Sequence, residues 1–267
     1  MADRRFSVRH LPGVSLIAGI TFVALYAPIL ILVINAFNAG SVIGRWEGAS
    51  LRWFVAALEN RAFRDAAMNS LVIATLAGAI ATLCAMMAAL ATTRSRRMPG
   101  QNAVQAVIYQ PLVVPEIVLA VALMVVLAQI KQMTGYHGLA YMVVAHTAFC
   151  IPFAYMPIRA RLEDMDLTLE TAAMDLYASR FYTFRRVTLP LLAPGVLAGF
   201  MLAFVVSLDN VVVSAFVKSP GQETLPTYLM GELRRNLSSE IYAISALLLF
   251  ASVMVVAASW LITRKKP

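Results

Sequence analysis

The sequence predicts an all-α membrane protein with six transmembrane helices and one helical loop outside the lipid. Three observations carry this. Of 267 residues, 60% are hydrophobic and only 13% are charged, where a soluble domain carries about 25% charged residues. The charges gather between apolar runs rather than being spread along them. Each run is long enough for the roughly 20 helical residues that cross about 30 Å of hydrocarbon.

The elements follow in order. Met1 to His10 carries Arg4, Arg5 and Arg9, and residues 11–44 carry no charge. No small-x-small cleavage site ends a short apolar run, so an uncleaved first span near 14–36 is expected. The charge-free run 66–93 gives a second span near 68–91. Run 98–130, interrupted only by Glu116, gives a third near 105–129, kinked where Pro111 and Pro115 free backbone carbonyls. Run 132–158 gives a fourth near 138–158. Run 187–217, interrupted only by Asp209, gives a fifth near 190–212, and run 241–263 a sixth near 241–262. In lipid each must be helical, because unpaired backbone groups have no water to bond.

Six spans put both termini on one side. With the amino terminus inside, the cytoplasmic segments hold 14 basic residues and the external loops eight. That bias favours cytoplasmic termini, most reliably at Arg94, Arg96 and Arg97 in a short loop. The net charge of +8 therefore reads as topology signals and contacts to anionic lipid rather than nucleic-acid binding. Cys84 and Cys150 lie in apolar runs, with no metal-ligand spacing, and read as packing residues.

Residues 159–188 do not belong in lipid. They hold Glu163, Asp164, Asp166, Glu170, Asp175 and five arginines. Leu162, Met165, Leu169, Ala172, Ala173 and Leu176 recur with a period near 3.6, which predicts an amphipathic helix with a narrow apolar face. Ser179 is placed to cap a second short helix running from Arg180 toward Pro190. Such a loop can lie on the bilayer or dock a soluble partner. All five acids fall within residues 163–175, where there is no basic residue, and this local acidity disfavours anionic lipid and favours docking.

Of fourteen acids only Glu116 and Asp209 lie deep inside apolar runs. An ionised acid at the bilayer centre costs on the order of 3 kcal/mol on insertion scales. Such residues face a cavity or a partner, so Glu116 and Asp209, with Asn210 as neutral polar neighbour, are candidates to line a polar pathway. The rival use of both acids is hydrogen bonding to neighbouring helices or a partner subunit. His146 reads as an interhelical hydrogen bond rather than a gate. Tyr109, Tyr141, Tyr155 and Trp260 fall near span ends, where interfacial anchoring explains them.

No GxxxxGK[ST] is present, and none of the four lysines follows a glycine. HExxH, CxxC and GxSxG are also missing, so the chain shows no enzyme site, metal site or cofactor site of its own.

Two blocks of the loop carry a family resemblance. Glu170-Thr-Ala-Ala-Met-Asp-Leu-Tyr-Ala-Ser179, followed by Val187-Thr-Leu-Pro190, resembles the cytoplasmic signature of binding-protein-dependent ABC importer permeases. In that pattern Glu-Ala-Ala is followed by three residues, Gly, nine residues and Ile-x-Leu-Pro. Ala172, Ala173, Leu189 and Pro190 match, and Val187 stands for Ile. Thr171 occupies the Glu position and Tyr177 the Gly position, which bears on the turn geometry. Phe22 to Pro28, Asn69 to Leu71, Pro111 to Glu116, His146 to Cys150, Ser207 to Asn210, Leu225-Pro226 and Ser239 to Ala243 are similar to the spermidine/putrescine branch.

The resemblance implies a methionine-importer-like permease fold in a bacterial inner membrane. Residues 1–65 would be the tail, first helix and external loop, 66–262 the transmembrane core, and 263–267 a cytoplasmic tail. Residues about 165–182 would be a coupling helix seated in an ATPase, with Glu170, Thr171, Ala172, Ala173, Asp175, Leu176, Tyr177, Leu189 and Pro190 at that contact. Implied partners are a cytoplasmic ATPase dimer holding ATP and Mg, a second homologous permease, and a periplasmic or lipid-anchored substrate-binding protein. The implied substrate is a polyamine such as putrescine or spermidine. Polyamine members commonly show two adjacent Asp residues where this chain has Asp209-Asn210, so another amine, an amino-acid derivative or an opine is the alternative. An ion-coupled secondary transporter is a rival, but no internal repeat is evident. A membrane-embedded lipid enzyme using Glu116, Asp209 and His146 is another.

Overall fold

A computed structural model describes residues 13–41, 45–94, 100–136, 138–235 and 239–264. Arg4, Arg5, Arg9, Arg96, Arg97 and the tail after 264 lie outside these residues. So does the side chain of Trp260. Helices dominate, and the described residues contain no strand beyond one isolated bridge between Asn38 and Ala49. Five helical stretches are long and apolar enough to cross a membrane: Val14–Ala36, Arg61–Arg94, Glu116–Thr134, Ala140–Glu163 and Arg180–Leu208. A further apolar helix begins at Ser239.

The chain packs as two units, one formed by described residues up to 60 together with 231–250, the other by 61–230 with 251 onward. In the first, α1 (Val14–Ala36) exposes apolar side chains along its whole length, from Leu16 and Ile17 to Ile34. Such a surface suits hydrocarbon. Described residues of the following loop are hydrogen-bonded to one another. Asn38, 3% exposed, donates Nδ2 to the Arg45 carbonyl at 2.6 Å. Its Oδ1 accepts from the Gly40 and Glu47 amides at 3.1 and 2.9 Å. The loop leads into α2 (Arg52–Glu59), where the Trp53 indole donates to the Gly40 carbonyl at 3.2 Å.

The second unit is centred on α3 (Arg61–Arg94), α6 (Ala140–Glu163) and α9 (Leu189–Leu208). Small residues let these helices approach. Ala74, Ala77, Ala81, Ala85 and Ala89 form a fully buried stripe on α3. On α9, a Cβ at Gly199 would lie 2.8 Å from the Ala154 carbonyl oxygen of α6. Glycine is therefore required by backbone-to-backbone contact. Tyr155 is completely buried, sharing a hydrogen bond of 2.8 Å with Thr92, and Tyr141 is 8% exposed and bonded to Thr134 at 2.7 Å. These two tyrosines are core residues, not interfacial anchors, because each hydroxyl finds a partner on a neighbouring helix.

The third expected span is two helices, α4 (Gln101–Val113) and α5 (Glu116–Thr134), interrupted at Val114 and Pro115. Pro115 lacks an amide hydrogen and holds Val114 in an extended conformation, so the helix stops rather than kinks. The fifth span differs too. A single helical run covers α8 (Arg180–Thr183), a π turn at Phe184–Thr188, and α9, and it ends at Leu208. After a break at Asp209 to Val211 comes α10 (Val212–Val217). It packs against α5 and α6. At the far end of α5, Lys131 Nζ donates to the Val217 carbonyl at 2.9 Å and to Ser219 at 3.1 Å.

The single amphipathic helix expected over residues 162–176 is also divided. Leu162 and Met165 are buried at the end of α6 and just beyond it. α7 covers only Thr168–Asp175 and buries no residue fully. A turn at Asp164–Leu167 reorients the chain, so Leu169 and Leu176 do not continue the buried face. Asp166 Oδ1 accepts from the Thr168 amide at 2.9 Å, which holds its carboxyl below the usual carboxylate range. Ser179 caps α8, accepting from the Tyr182 amide at 3.3 Å, as its position predicts. α11 (Leu225–Arg235) and α12 (Ser239–Arg264) complete the chain.

Candidate functional site

Two places hold the residues singled out by sequence, both in the second unit. The first lies where two interrupted helices meet. Glu116 opens α5 directly after the α4–α5 break. Asn210 lies in the α9–α10 break and is 7% exposed. The Asn210 amide Nδ2 donates a hydrogen bond to Glu116 Oε1. Asn210 also organises its own turn: Oδ1 accepts from the Val213 amide at 2.8 Å, and its carbonyl accepts from the Ser214 hydroxyl at 2.8 Å. Asp209, the neighbouring residue, is exposed, and no side-chain bond or ion pair engages its carboxylate among the described residues. Glu116 and Asn210 are thus joined, whereas Asp209 is directed elsewhere.

Irregular backbone at membrane depth persists only where it is buried in protein or lines a polar cavity. Two breaks meet here at a carboxylate, which brings non-helical backbone and an acidic side chain together. Sequence reasoning expected the acids but not that Asn210 would bind one of them. It also missed Ser207 and Ser214, which flank the break and bond His146 at 2.8 and 3.0 Å. The available signal was their spacing. Seven residues apart, two hydroxyls bracket Asp209-Asn210 in an otherwise apolar run.

The second place is the loop between α6 and α9. Glu170, Thr171, Ala172, Ala173 and Asp175 lie on α7, Leu176 caps it, and Leu189 and Pro190 open α9. Glu170 is the anchor. Its Oε1 meets Arg94 Nη2 at 3.2 Å, at the end of α3, and accepts from the Thr188 hydroxyl at 3.0 Å. Arg94, expected only as a topology signal, therefore fastens the loop to the helical core. The loop also exposes apolar side chains. Leu167 and Met174, which line the same cleft as Glu170, are about half exposed, as is Leu169; Leu176 and Phe181 are largely exposed, and Tyr177 is 99% exposed.

Tyr177 answers the question raised by its place in the motif. Its φ is +63°, and it is the single non-glycine residue with positive φ among the described residues. The Ala178 amide donates to the Ala173 carbonyl at 3.1 Å and the Tyr177 amide to the Met174 carbonyl at 2.9 Å. That pair of bonds is the Schellman ending of a helix, which normally uses glycine at this position. The turn is kept despite the tyrosine. Between α7, α3 and α8 lies a cleft of about 720 Å³, lined by Arg94, Glu170, Thr171, Arg180 and Thr183 among others.

Residues 81–264 match the family described as binding-protein-dependent transport system inner membrane component, and the chain belongs to that family. It is 35% identical over 242 residues to the spermidine/putrescine transport system permease protein PotC of Escherichia coli K12, covering 91% of this chain and 90% of that one. It is equally 35% identical over 250 residues to the putrescine transport system permease protein PotI of the same strain, covering 92% and 88%. Among solved structures it resembles a chain of a bacterial ABC transporter that imports alginate, with a TM-score of 0.71, 16% identity and 94% of both chains covered. It also resembles one from the inward-facing MetNI methionine ABC transporter, with a TM-score of 0.60, 18% identity, and 74% and 92% covered. The methionine-importer-like permease fold expected from the sequence is the observed one.

Proposed function

We propose that this chain is the permease subunit of an ATP-driven importer, and that with a second homologous permease it forms the membrane path for a polyamine such as putrescine or spermidine. The observation that carries the substrate class is the meeting of Glu116 and Asn210 beside the open carboxylate of Asp209. A diamine needs carboxylates to offset its charge in a low-dielectric path, yet must leave them again. Glu116, already engaged by an amide, and Asp209, free to meet substrate, would attract the cation without trapping it. The polyamine names of PotC and PotI support the same class.

In this reading residues 66–262 are the transmembrane core, 1–65 the tail, first helix and external loop, and 263–267 a cytoplasmic tail, with the amino terminus also in the cytoplasm. The loop around α7 is the coupling helix. Its exposed residues Leu169, Leu176 and Tyr177 would seat in a cytoplasmic ATPase of a dimer, and ATP and Mg would belong to that dimer. Closure of the dimer on ATP would move α7. The Arg94–Glu170–Thr188 contact would pass that movement to α3 and α9, opening the path outward. A periplasmic or lipid-anchored binding protein would then deliver substrate.

The test is uptake of radiolabelled putrescine by cells carrying the complete transporter. Asp209→Asn and Glu116→Gln are each expected to lower uptake about tenfold, the size of one lost charge-assisted contact. Membrane levels of the permease should stay unchanged. Wild-type uptake by both variants refutes the pathway.

A further inference from the structure

His146 lies on α6 with 1% exposure, and the pathway proposed above makes no use of it. Its Nδ1 is 2.8 Å from Ser207 Oγ and its Nε2 is 3.0 Å from Ser214 Oγ. Ser207 is in the last turn of α9 and Ser214 is in α10. One imidazole therefore spans the break that contains Asp209 and Asn210.

The directions of these bonds follow from the partners. A carbonyl only accepts, so the Ser214 hydroxyl spends its one hydrogen on the Asn210 carbonyl at 2.8 Å. Ser214 Oγ must then accept from His146 Nε2–H. In the neutral ring Nδ1 is left to accept from the Ser207 hydroxyl. The chain of donors runs from Ser207 through His146 and Ser214 to the Asn210 backbone. The Asn210 side chain continues it, accepting from the Val213 amide and donating to Glu116. Ser207, Ser214 and Asn210 are all nearly inaccessible. Bulk solvent barely reaches these groups, so rotation of the break would leave several buried groups unpaired at once.

We infer that His146 is a positioning residue for transport: by tying Ser207 to Ser214 across the α9–α10 break, it sets the rotation that turns Asn210 to Glu116 and leaves Asp209 open to substrate. The inference rests on the pathway reading of these acids. It predicts that losing the tie uncouples transport without unfolding the protein. A loosened break would let the ATPase cycle continue while the carboxylates are misplaced.

The test uses the complete transporter in proteoliposomes, with putrescine as probe and a putrescine-loaded binding protein. The reading is putrescine moved per ATP hydrolysed, a ratio that does not depend on how much protein folds. A merely structural defect lowers both rates together and leaves the ratio unchanged. The main variant is the triple His146→Leu, Ser207→Ala, Ser214→Ala, which removes the three side-chain partners together and takes from the Asn210 carbonyl only its bond to Ser214. The ratio is expected to fall about tenfold or more, the combined worth of the two bonds to His146 and that third bond. His146→Gln, whose amide also offers one donor and one acceptor, should restore it to within about twofold. Adding Glu116→Gln to the triple variant should lower it little further, because both changes disable one constellation.

A triple variant with the wild-type ratio, while Glu116→Gln lowers it, overturns this inference and leaves the pathway standing. Multiplying losses in the combined variant also overturn it, since His146 would then act apart from Glu116. If Glu116→Gln and Asp209→Asn both keep the wild-type ratio, the pathway reading fails and the inference falls with it.

Discussion

Replacing Tyr177 by glycine is expected to have opposite effects on the isolated permease and on its complex with the ATPase. Tyr177 holds φ +63°, which costs a residue with a Cβ about 1–2 kcal/mol relative to right-handed backbone. Glycine removes that strain but brings an unfolded chain with more freedom, a penalty of about 0.5–1 kcal/mol. The net gain for the free loop is therefore about 0.5–1 kcal/mol, a few-fold change in the local opening equilibrium. The ring itself, 99% exposed, makes no contact within the chain that could offset this. In the proposed complex the same ring is a buried aromatic, and losing one from the centre of an interface costs about 2 kcal/mol or more. Hydrogen exchange over residues 168–179 should slow in the detergent-purified Tyr177→Gly permease, while its affinity for the ATPase weakens roughly 30-fold. Tyr177→Ala separates the two contributions, since alanine keeps the strain and loses the ring. It should weaken association as much as glycine does, without slowing exchange. Wild-type affinity for both variants would show that Tyr177 is not at the docking surface.

Two further substitutions test the frame around this loop and the core. Glu170→Ala removes the partner of both Arg94 and Thr188. With Arg94 left partly buried, the loop should lose about 2–3 kcal/mol of anchoring, seen as rapid proteolysis between residues 164 and 180 while the spans stay intact. Unchanged protease resistance would deny the anchor. Gly199→Val puts a Cβ 2.8 Å from the Ala154 carbonyl oxygen and 3.1 Å from Ile158 Cγ1. Neither backbone can give way inside packed helices, so a loss of about 1–3 kcal/mol is expected as a lower melting temperature in detergent. An unshifted melting temperature would mean α6 and α9 are not in contact there.

Hydropathy and charge placement determined the helical class, the membrane environment and the order of the spans, because a chain in hydrocarbon has few alternatives to helix. The loop motif by itself pointed to the permease family, and Ser179 was correctly legible as a cap from its place before Arg180. What tertiary structure decided was where helices stop and which polar groups meet. Pro111 and Pro115 read as a kink, whereas in the folded chain Val114 turns extended before Pro115 and the helix breaks there. Met165 and Leu176 share one helical period but not one surface, since the turn at Asp164–Leu167 redirects the chain. Tyr141 and Tyr155 looked like interfacial anchors until partners at Thr134 and Thr92 appeared from other helices. The bonds from Asn210 to Glu116, from His146 to two serines, and from Arg94 to Glu170 join residues far apart in sequence. Periodicity reports which face of a segment is apolar, but it cannot report which other segment lies opposite. That pairing is set by close approach of small residues across α3, α6 and α9, and it exists only in the folded chain.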